Sequence, residues 1–409
     1  MTKKNLINIS LTILFSIIIA FLIHKKIIYP TIIPMVKNSL IYLFADWSVI
    51  INASNCAQNG VDVYVENPCD PWGRKHVYGN IFLFIPILES LNKFYLFYFP
   101  IILNVLFVFV IVSFFNNIKN NKNYLSVFFI LSAPFLLAIE RANLDIVIFL
   151  IMFLISKYKN LFLNYFLIIF ATLAKFYPIL FGILFLFKKN FKKILIDIFI
   201  LSTFLLIFVF FQNDNILKIF NNQSQFSGSG IYQFSIKGLL NIIENTTIKV
   251  DPVNFEYIKY LLVIFLIIVS IIFTYHSIFK NIKKDENLIN IFEIDTFENR
   301  IYIASSIILL FCYFSIQNFF YREIFFLGLI PWILKIENKD SKFINFYFYS
   351  ILFKFLFSTI LIYLVMSNFY SLINPLLIFF KHAVDLYLIS IIFLIFVVNL
   401  FYNLKKRLY

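Results

Sequence analysis

The run FKKILIDIFILSTFLLIFVFF at residues 191–211 decides the fold class. It is long enough to cross a bilayer as a helix and lacks the strict alternation that a membrane-barrel strand needs. Similar apolar segments fall at 6–23, 94–115, 124–139, 143–156, 161–174, 176–187, 257–279, 300–316, 319–334, 344–366 and 385–404, about twelve in all counted against a ~20-residue span. The chain of 409 residues is 61% hydrophobic, with a mean hydropathy of +0.88. A soluble domain has no use for that much apolar surface. With lipid as solvent every backbone polar group must be paired inside a helix or a closed barrel. The expected fold is all-α: one polytopic transmembrane helical bundle over residues 1–409. The segments within 124–156 and 161–187 are short for perpendicular spans, so broken, re-entrant or tilted helices are expected there.

The net charge of +14 raises nucleic acid as a partner, and its distribution argues against it. Lysines and arginines cluster in short gaps between apolar runs: Lys3-Lys4, Lys119 and Lys122, Lys157 and Lys159, Lys188-Lys189 with Lys192-Lys193, Lys280 with Lys283-Lys284, Lys335 with Lys339 and Lys342, and Lys405-Lys406-Arg407. Every second gap carries such a cluster, as the positive-inside rule requires. Both termini then lie inside. Two long loops lie outside, 24–93 and 212–256, together with short connections near Glu140-Arg141, Lys175, 318–322 and 368–382. Within the first loop, 32–44 and 81–91 are expected to be interfacial helices.

One polar stretch interrupts the lipid-soluble chain, DWSVIINASNCAQNGVDVYVENPCDPWGRKHVYGN at 46–80. It holds Cys56 and Cys69, which are expected to form a disulfide if this loop faces an oxidising compartment, two free thiols being the alternative. It also holds Asp46, Asp70, Arg74, His76 and Tyr78. With Glu140, Arg141, Asp145, Lys175, Arg322 and Glu323, these ionisable groups fall on the outside face. Charges at membrane depth are costly and by default mark function.

Each has an ordinary reading beside the functional one. Asp46 ends an apolar run; it is a candidate general base or a helix cap. Arg141 and Asp145 are spaced to pair over one helical turn. Lys175 could contact a phosphate or snorkel. Arg322 suits bidentate phosphate contact or a neutralising pair with Glu323. The loop around Asn222, Gln223 and Ser224 suits a polyhydroxylated ligand or is an ordinary loop. Walker, GxSxG and HExxH motifs are absent, and no Cys/His metal-ligand spacing occurs.

The order of these motifs resembles the GT-C superfamily of polytopic glycosyltransferases, and within it glycosyltransferase family 87, the polyprenyl-phosphate-mannose-dependent type. An Asp after the first span (Asp46) opens a long outside loop. A Gly-x-x-x-Tyr element (Gly60 to Tyr64) and a Tyr before a short amphipathic helix (Tyr78) follow. Then come Ala142-Asn143-Leu144-Asp145, a Lys-x-x-Pro element (Lys175 to Pro178), and Asn222-Gln223-Ser224. The resemblance covers residues 1–335. The family's Tyr-Pro-Pro is Tyr78-Gly79-Asn80 here, its late Trp-x-His is replaced by 318–322, and the NPCDPWGR stretch is additional, which makes this a divergent branch.

The resemblance implies inverting transfer of a sugar from a polyprenyl-phosphate donor to a glycan or lipid acceptor on the outer face. The low Gly, Ala and Pro and high Ile, Lys, Asn and Phe content reflects an AT-rich coding bias and suggests a bacterium, so the expected location is a bacterial inner membrane with the site facing the periplasm or exterior. Asp46 would be the base, and Arg322, Lys175 and Arg141 the donor-phosphate contacts. Asp70, Arg74, His76, Tyr78, Asn143, Asp145, Asn222, Gln223 and Ser224 would shape the sugar and acceptor pocket. No cofactor or metal is implied, and the partners are membrane lipid, the lipid-linked sugar and the acceptor. Two other readings stand beside it: an envelope polysaccharide polymerase or ligase acting on a diphosphate-linked oligosaccharide, and a lipid-linked sugar flippase or transporter.

Overall fold

The computed structural model describes residues 44–70, 73–84, 94–116, 124–187, 191–223, 233–239, 296–315, 320–337, 342–366 and 375–408. A few isolated positions within 10–21 and 264–272, and residue 92, are also described. Most of the elements expected at 32–44, 81–91, 6–23 and 257–279 lie outside the described residues; the start of the 81–91 element is a 3-10 helix, Asn80–Phe84. Among the described residues the regular structure is helical, with no strand. Five of these helices are long and apolar enough to cross a membrane: Phe94–Phe115, Lys192–Ile219, Phe297–Ser315, Ile344–Leu364 and Leu376–Leu400. That is consistent with an integral membrane protein.

The chain divides into two compact units, one of Met1–Leu131 with Phe135–Phe226 and one of Ser132–Pro134 with Ser227–Tyr409. The first contains helices α1 Ala45–Gln58, α2 Phe99–Asn116, α3 Tyr124–Ile130, all but the first two residues of α4 Ala133–Arg141, α5 Leu144–Lys157, α6 Leu161–Ala174 and α7 Phe191–Gln223. A 3-10 helix spans Tyr177–Phe187. The segments expected to be short and broken are so: a turn at 131–132 separates α3 from α4. Two aromatic contacts tie this region together, Phe107 stacking on Phe135 at 4.8 Å and meeting Phe149 edge-on at 5.1 Å.

Three boundaries differ from expectation. The first thirteen residues of the polar stretch are helix, within α1, and not loop. Burial explains this: Trp47, Val49, Ile50 and Ile51 pack with Tyr78, Phe82 and Leu144, while Ala53 and Cys56 pack with Val63, Tyr64 and Ile219. Next, α7 runs through the polar end of its segment to Gln223. Lys218 bonds Asp62 at 2.7 Å and Asn222 donates to the Tyr64 carbonyl at 2.8 Å, so the 212–256 region begins helical. Last, Arg141 and Asp145 do not share a helix. Arg141 ends α4 and Asp145 opens α5, with Ala142 left-handed between them at φ 44°.

The second unit contains α8 Phe297–Ser315, a 3-10 helix at Phe320–Leu329, α9 Ile330–Glu337, α10 Lys342–Met366 and α11 Pro375–Leu408. Here α8 packs on the 3-10 helix and on α11, with Tyr302 and Trp332 rings 4.3 Å apart. A buried amide pair, Asn399 to Asn299 at 2.8 Å, links α11 to α8. The span expected at 385–404 starts ten residues earlier, at Pro375, and takes in Lys381, His382 and Asp385.

Candidate active site

The first unit brings Asp46, Arg74, Arg141 and Asn143 together. Asp46 lies in the first turn of α1, where the helix dipole favours an acid. The residue before that helix, Phe44, is left-handed at φ 61°, and no side chain caps the helix; the capping alternative for Asp46 is therefore not what the structure shows. A bulky residue in this conformation is a true outlier. It is held by its N–H donating to the Glu140 carbonyl at 3.0 Å and by its ring against Phe97. The same contact ties the start of α1 to the end of α4, which sets Asp46 beside Arg141.

Arg141 Nη1 donates to Asp46 Oδ1 at 2.9 Å. Asn143 Nδ2 donates to Oδ2 at 2.7 Å. Arg74 Nη1 lies 3.6 Å from Oδ1. The Asp46 side chain is 10% exposed, and those of Arg74 and Arg141 are each 31% exposed. A carboxylate has about four acceptor positions and these two hydrogen bonds use two, so capacity remains for a substrate hydroxyl. Two guanidinium groups beside one shielded carboxylate make a site that presents cations to an anionic ligand and a base to a hydroxyl.

Asp70 is placed beneath this site. Its side chain is fully buried, and Arg74 forks onto it, Nε to Oδ2 at 3.1 Å and Nη2 to Oδ1 at 3.0 Å. Arg74 Nη2 also donates to the Ala45 carbonyl at 2.8 Å. Cys56 and Cys69, thirteen positions apart, are joined by a disulfide.

Asp145 forms a second centre. Its buried carboxylate accepts from Lys175 Nζ and from the Tyr177 hydroxyl. The Lys175 ammonium sits over the rings of Tyr78 at 5.7 Å and Tyr177 at 5.5 Å. Lys175 is thus a buried ion-pair partner, neither snorkelling nor presented outward. Tyr177 was not singled out by its sequence context.

His76 is fully buried, edge-on to Tyr64 and Tyr78 at 5.2 and 5.8 Å. Burial pushes its pKa down to about 4, and burial likewise pushes the Tyr64 phenol up. The enclosed imidazole packs between Tyr64 and Tyr78, with Nε2 3.4 Å from the Gly79 carbonyl oxygen. Gly79 makes a close approach to α6: its N–H donates to the Ala174 carbonyl, and a Cβ there would sit 1.7 Å from the Leu173 oxygen. Asn222 donates to the Tyr64 carbonyl at 2.8 Å. The Gln223 side chain and Ser224 lie outside the described residues.

Arg322 belongs to the second unit, its Nη1 3.9 Å from the Cys312 sulfur. Its neighbour Glu323 pairs with Lys354 at 2.9 Å and with Lys381 at 3.7 Å. Asp385 accepts from both lysines, and Lys381 also donates to the Gln233 carbonyl at 2.8 Å. These four ionisable groups are buried, with Lys354 at the midpoint of α10. Glu323 is therefore a buried ion-pair residue and not one exposed at a surface.

Compared with known proteins, the chain matches no family model, no curated protein and no solved structure.

Proposed function

We propose that this chain is a polytopic membrane glycosyltransferase of the GT-C type, resembling glycosyltransferase family 87, with about twelve spans of ~20 residues. It transfers a sugar from a polyprenyl-phosphate donor to a glycan or lipid acceptor. The observation that carries this reading is the Asp46 carboxylate held by Arg141 and Asn143 with Arg74 alongside. Asp46 takes the acceptor hydroxyl proton, and the oxygen attacks the anomeric carbon from the face opposite the phosphate. The carbon–oxygen bond to the phosphate breaks, and its electron pair leaves on the lipid phosphate. A cation beside that oxygen stabilises the developing charge, a role that fits the partly exposed Arg74 and Arg141. It fits Lys175 less well, because its side chain is only 10% exposed and its ammonium is buried against Asp145.

The Cys56–Cys69 disulfide in the loop beside Asp46 supports an oxidising compartment for this face. That agrees with the lysine clusters on the opposite side and with a bacterial inner membrane whose site faces the periplasm or exterior. Membrane lipid, the lipid-linked sugar and the acceptor are the partners. The test is transfer of label from polyprenyl-phosphate sugars by purified protein in nanodiscs. Transfer that Asp46→Asn abolishes supports the reading. Transfer only from diphosphate-linked oligosaccharides would instead indicate the polymerase or ligase.

A lipid-linked sugar flippase is the second reading. It is favoured by the buried group of Glu323, Lys354, Lys381 and Asp385, since transporters place ionisable groups at mid-helix depth. Movement of a labelled lipid-linked sugar across proteoliposomes with no transfer would select it.

A further inference from the structure

The NPCDPWGR stretch gives the site a part that the family pattern does not supply. It is fastened to both ends of α1. At the far end, Cys69 is bonded to Cys56 in the last turn. At the near end, Arg74 donates to the Ala45 carbonyl at 2.8 Å and stands 3.6 Å from Asp46. Between the two, Asp70 follows Cys69 directly. Its carboxylate accepts three bonds from Arg74: the fork already described, and the backbone N–H at 2.9 Å. Asn67 closes the loop by donating to the Arg74 carbonyl at 3.0 Å. A long flexible side chain is thereby held in one direction. A forked guanidinium–carboxylate contact fixes orientation as well as distance.

We propose that Asp70 and the Cys56–Cys69 disulfide are positioning elements of the Asp46 site. They act through Arg74, whose orientation they set, and they make the site sensitive to reduction. Asp70 itself is no alternative base, because its carboxylate is fully buried and occupied by Arg74. Reduction needs an external dithiol. Its thiolate attacks Cys69, the exposed partner, and Cys56 leaves as thiolate. The second thiol of the reductant then resolves the mixed disulfide, giving two cysteine thiols and one oxidised dithiol. The effect on catalysis rests on the proposed glycosyl transfer; the clamp itself does not.

The experiment uses the full chain in lipid nanodiscs: wild type with and without dithiothreitol, Asp70→Asn, Asp70→Glu, and the double variant Cys56→Ser/Cys69→Ser. Modification of Arg74 by phenylglyoxal is followed by mass spectrometry, with Arg300 and Arg322 as internal references. Losing a charge-assisted fork should speed Arg74 modification about tenfold in Asp70→Asn. Dithiothreitol and the double variant should speed it by a smaller factor, with reference rates unchanged. In transfer assays Asp70→Asn should lower kcat more than it raises the donor KM, and Asp70→Glu should recover part of kcat.

Unchanged Arg74 reactivity in Asp70→Asn and after reduction overturns the clamp, whatever the activity. The reduction arm needs no substitution, so it decides the matter even if Asp70→Asn misfolds. Faster modification with undiminished transfer overturns the positioning role. Faster modification in a protein whose wild type transfers no sugar leaves the clamp standing and refutes the glycosyltransferase reading instead.

Discussion

Asn143 donates to Asp46 Oδ2 at 2.7 Å across ninety-seven positions of chain. The same side chain caps α5, its Oδ1 accepting from the Asp145 N–H at 2.9 Å. One amide therefore starts a helix with its oxygen and holds the candidate base with its nitrogen. Substitutions can separate the two roles. Asn143→Asp keeps the cap, since Asp caps as well as Asn, but sets a second carboxylate against Asp46. We expect a fall in thermal stability that comes from the like-charge contact and not from the cap, and a large fall in turnover. Asn143→Ala should lose about 1 kcal/mol of cap energy and turnover as well. Melts and single-turnover rates on the same preparations check both; a normal rate in Asn143→Asp would remove Asn143 from the site.

Asp46→Asn should abolish turnover while the helices stay folded. General-base catalysis is typically worth about a hundred- to ten-thousand-fold. The amide cannot take the acceptor proton, and it leaves Arg141 without its anionic partner, so a modest drop in melting temperature is expected too. Single-turnover kinetics is the check, and more than about a tenth of wild-type rate retained would exclude Asp46 as base.

Much of this fold is legible in sequence because apolar runs report helices directly. The 161–174 run matches α6 residue for residue. Helix α1 is not legible that way: half its residues are polar, and what makes it a helix is burial against Tyr78, Leu144 and Tyr64 together with the disulfide. At the site, Asp46 and Arg141 could be read from position, whereas their pairing could not. It depends on the left-handed turns at Phe44 and Ala142, which propensity disfavours and tertiary contacts impose. Lys175 read as a phosphate ligand because its partner Asp145 lies thirty residues away on another helix. Lys381 and His382 dilute the hydropathy near the start of α11, so the apolar run begins at 385, ten residues into the helix; the charges of Lys381 and Asp385 are matched by Glu323 and Lys354 on other segments.

Gly79→Ala should be severe and Gly60→Ala mild. At Gly79 the new methyl would overlap the Leu173 carbonyl, a backbone atom with little room to move. Overpacking of this kind costs about 1–3 kcal/mol or more. At Gly60 nothing lies within 4 Å, and only the left-handed backbone at φ 81° is strained, for about 1 kcal/mol. Paired melts of the two variants give the comparison. Similar losses would mean that the Tyr78-Gly79 approach to α6 is looser than described.

Stability should fall as pH drops from about 6.5 to about 4, and His76 is one cause. Burial lowers its folded pKa to about 4 from 6.5. The unfolded chain thus binds the proton first as pH falls, and the stability present above 6.5 is lost on the way down. At 1.36 kcal/mol per pH unit the full effect is about 3 kcal/mol. His76→Phe should flatten this limb of the melting-temperature profile. An unchanged profile would show that His76 is protonated without penalty in the fold.

The buried quartet of the second unit should behave as one coupled group. Lys354→Met removes one of the two cations that Glu323 and Asp385 share and leaves Lys381 alone against two buried carboxylates. Breaking a buried pair this way costs about 3–5 kcal/mol. Adding Asp385→Leu should restore stability, because the remaining charges, Lys381 and Glu323, still face each other at 3.7 Å. The double variant should therefore be more stable than Lys354→Met alone, with a coupling above about 1 kcal/mol. Thermal melts of the wild type, both single variants and the double variant in nanodiscs close the cycle. Additive losses would show that each lysine and each acid is stabilised by its own surroundings, and would weaken the one observation that favours the flippase reading.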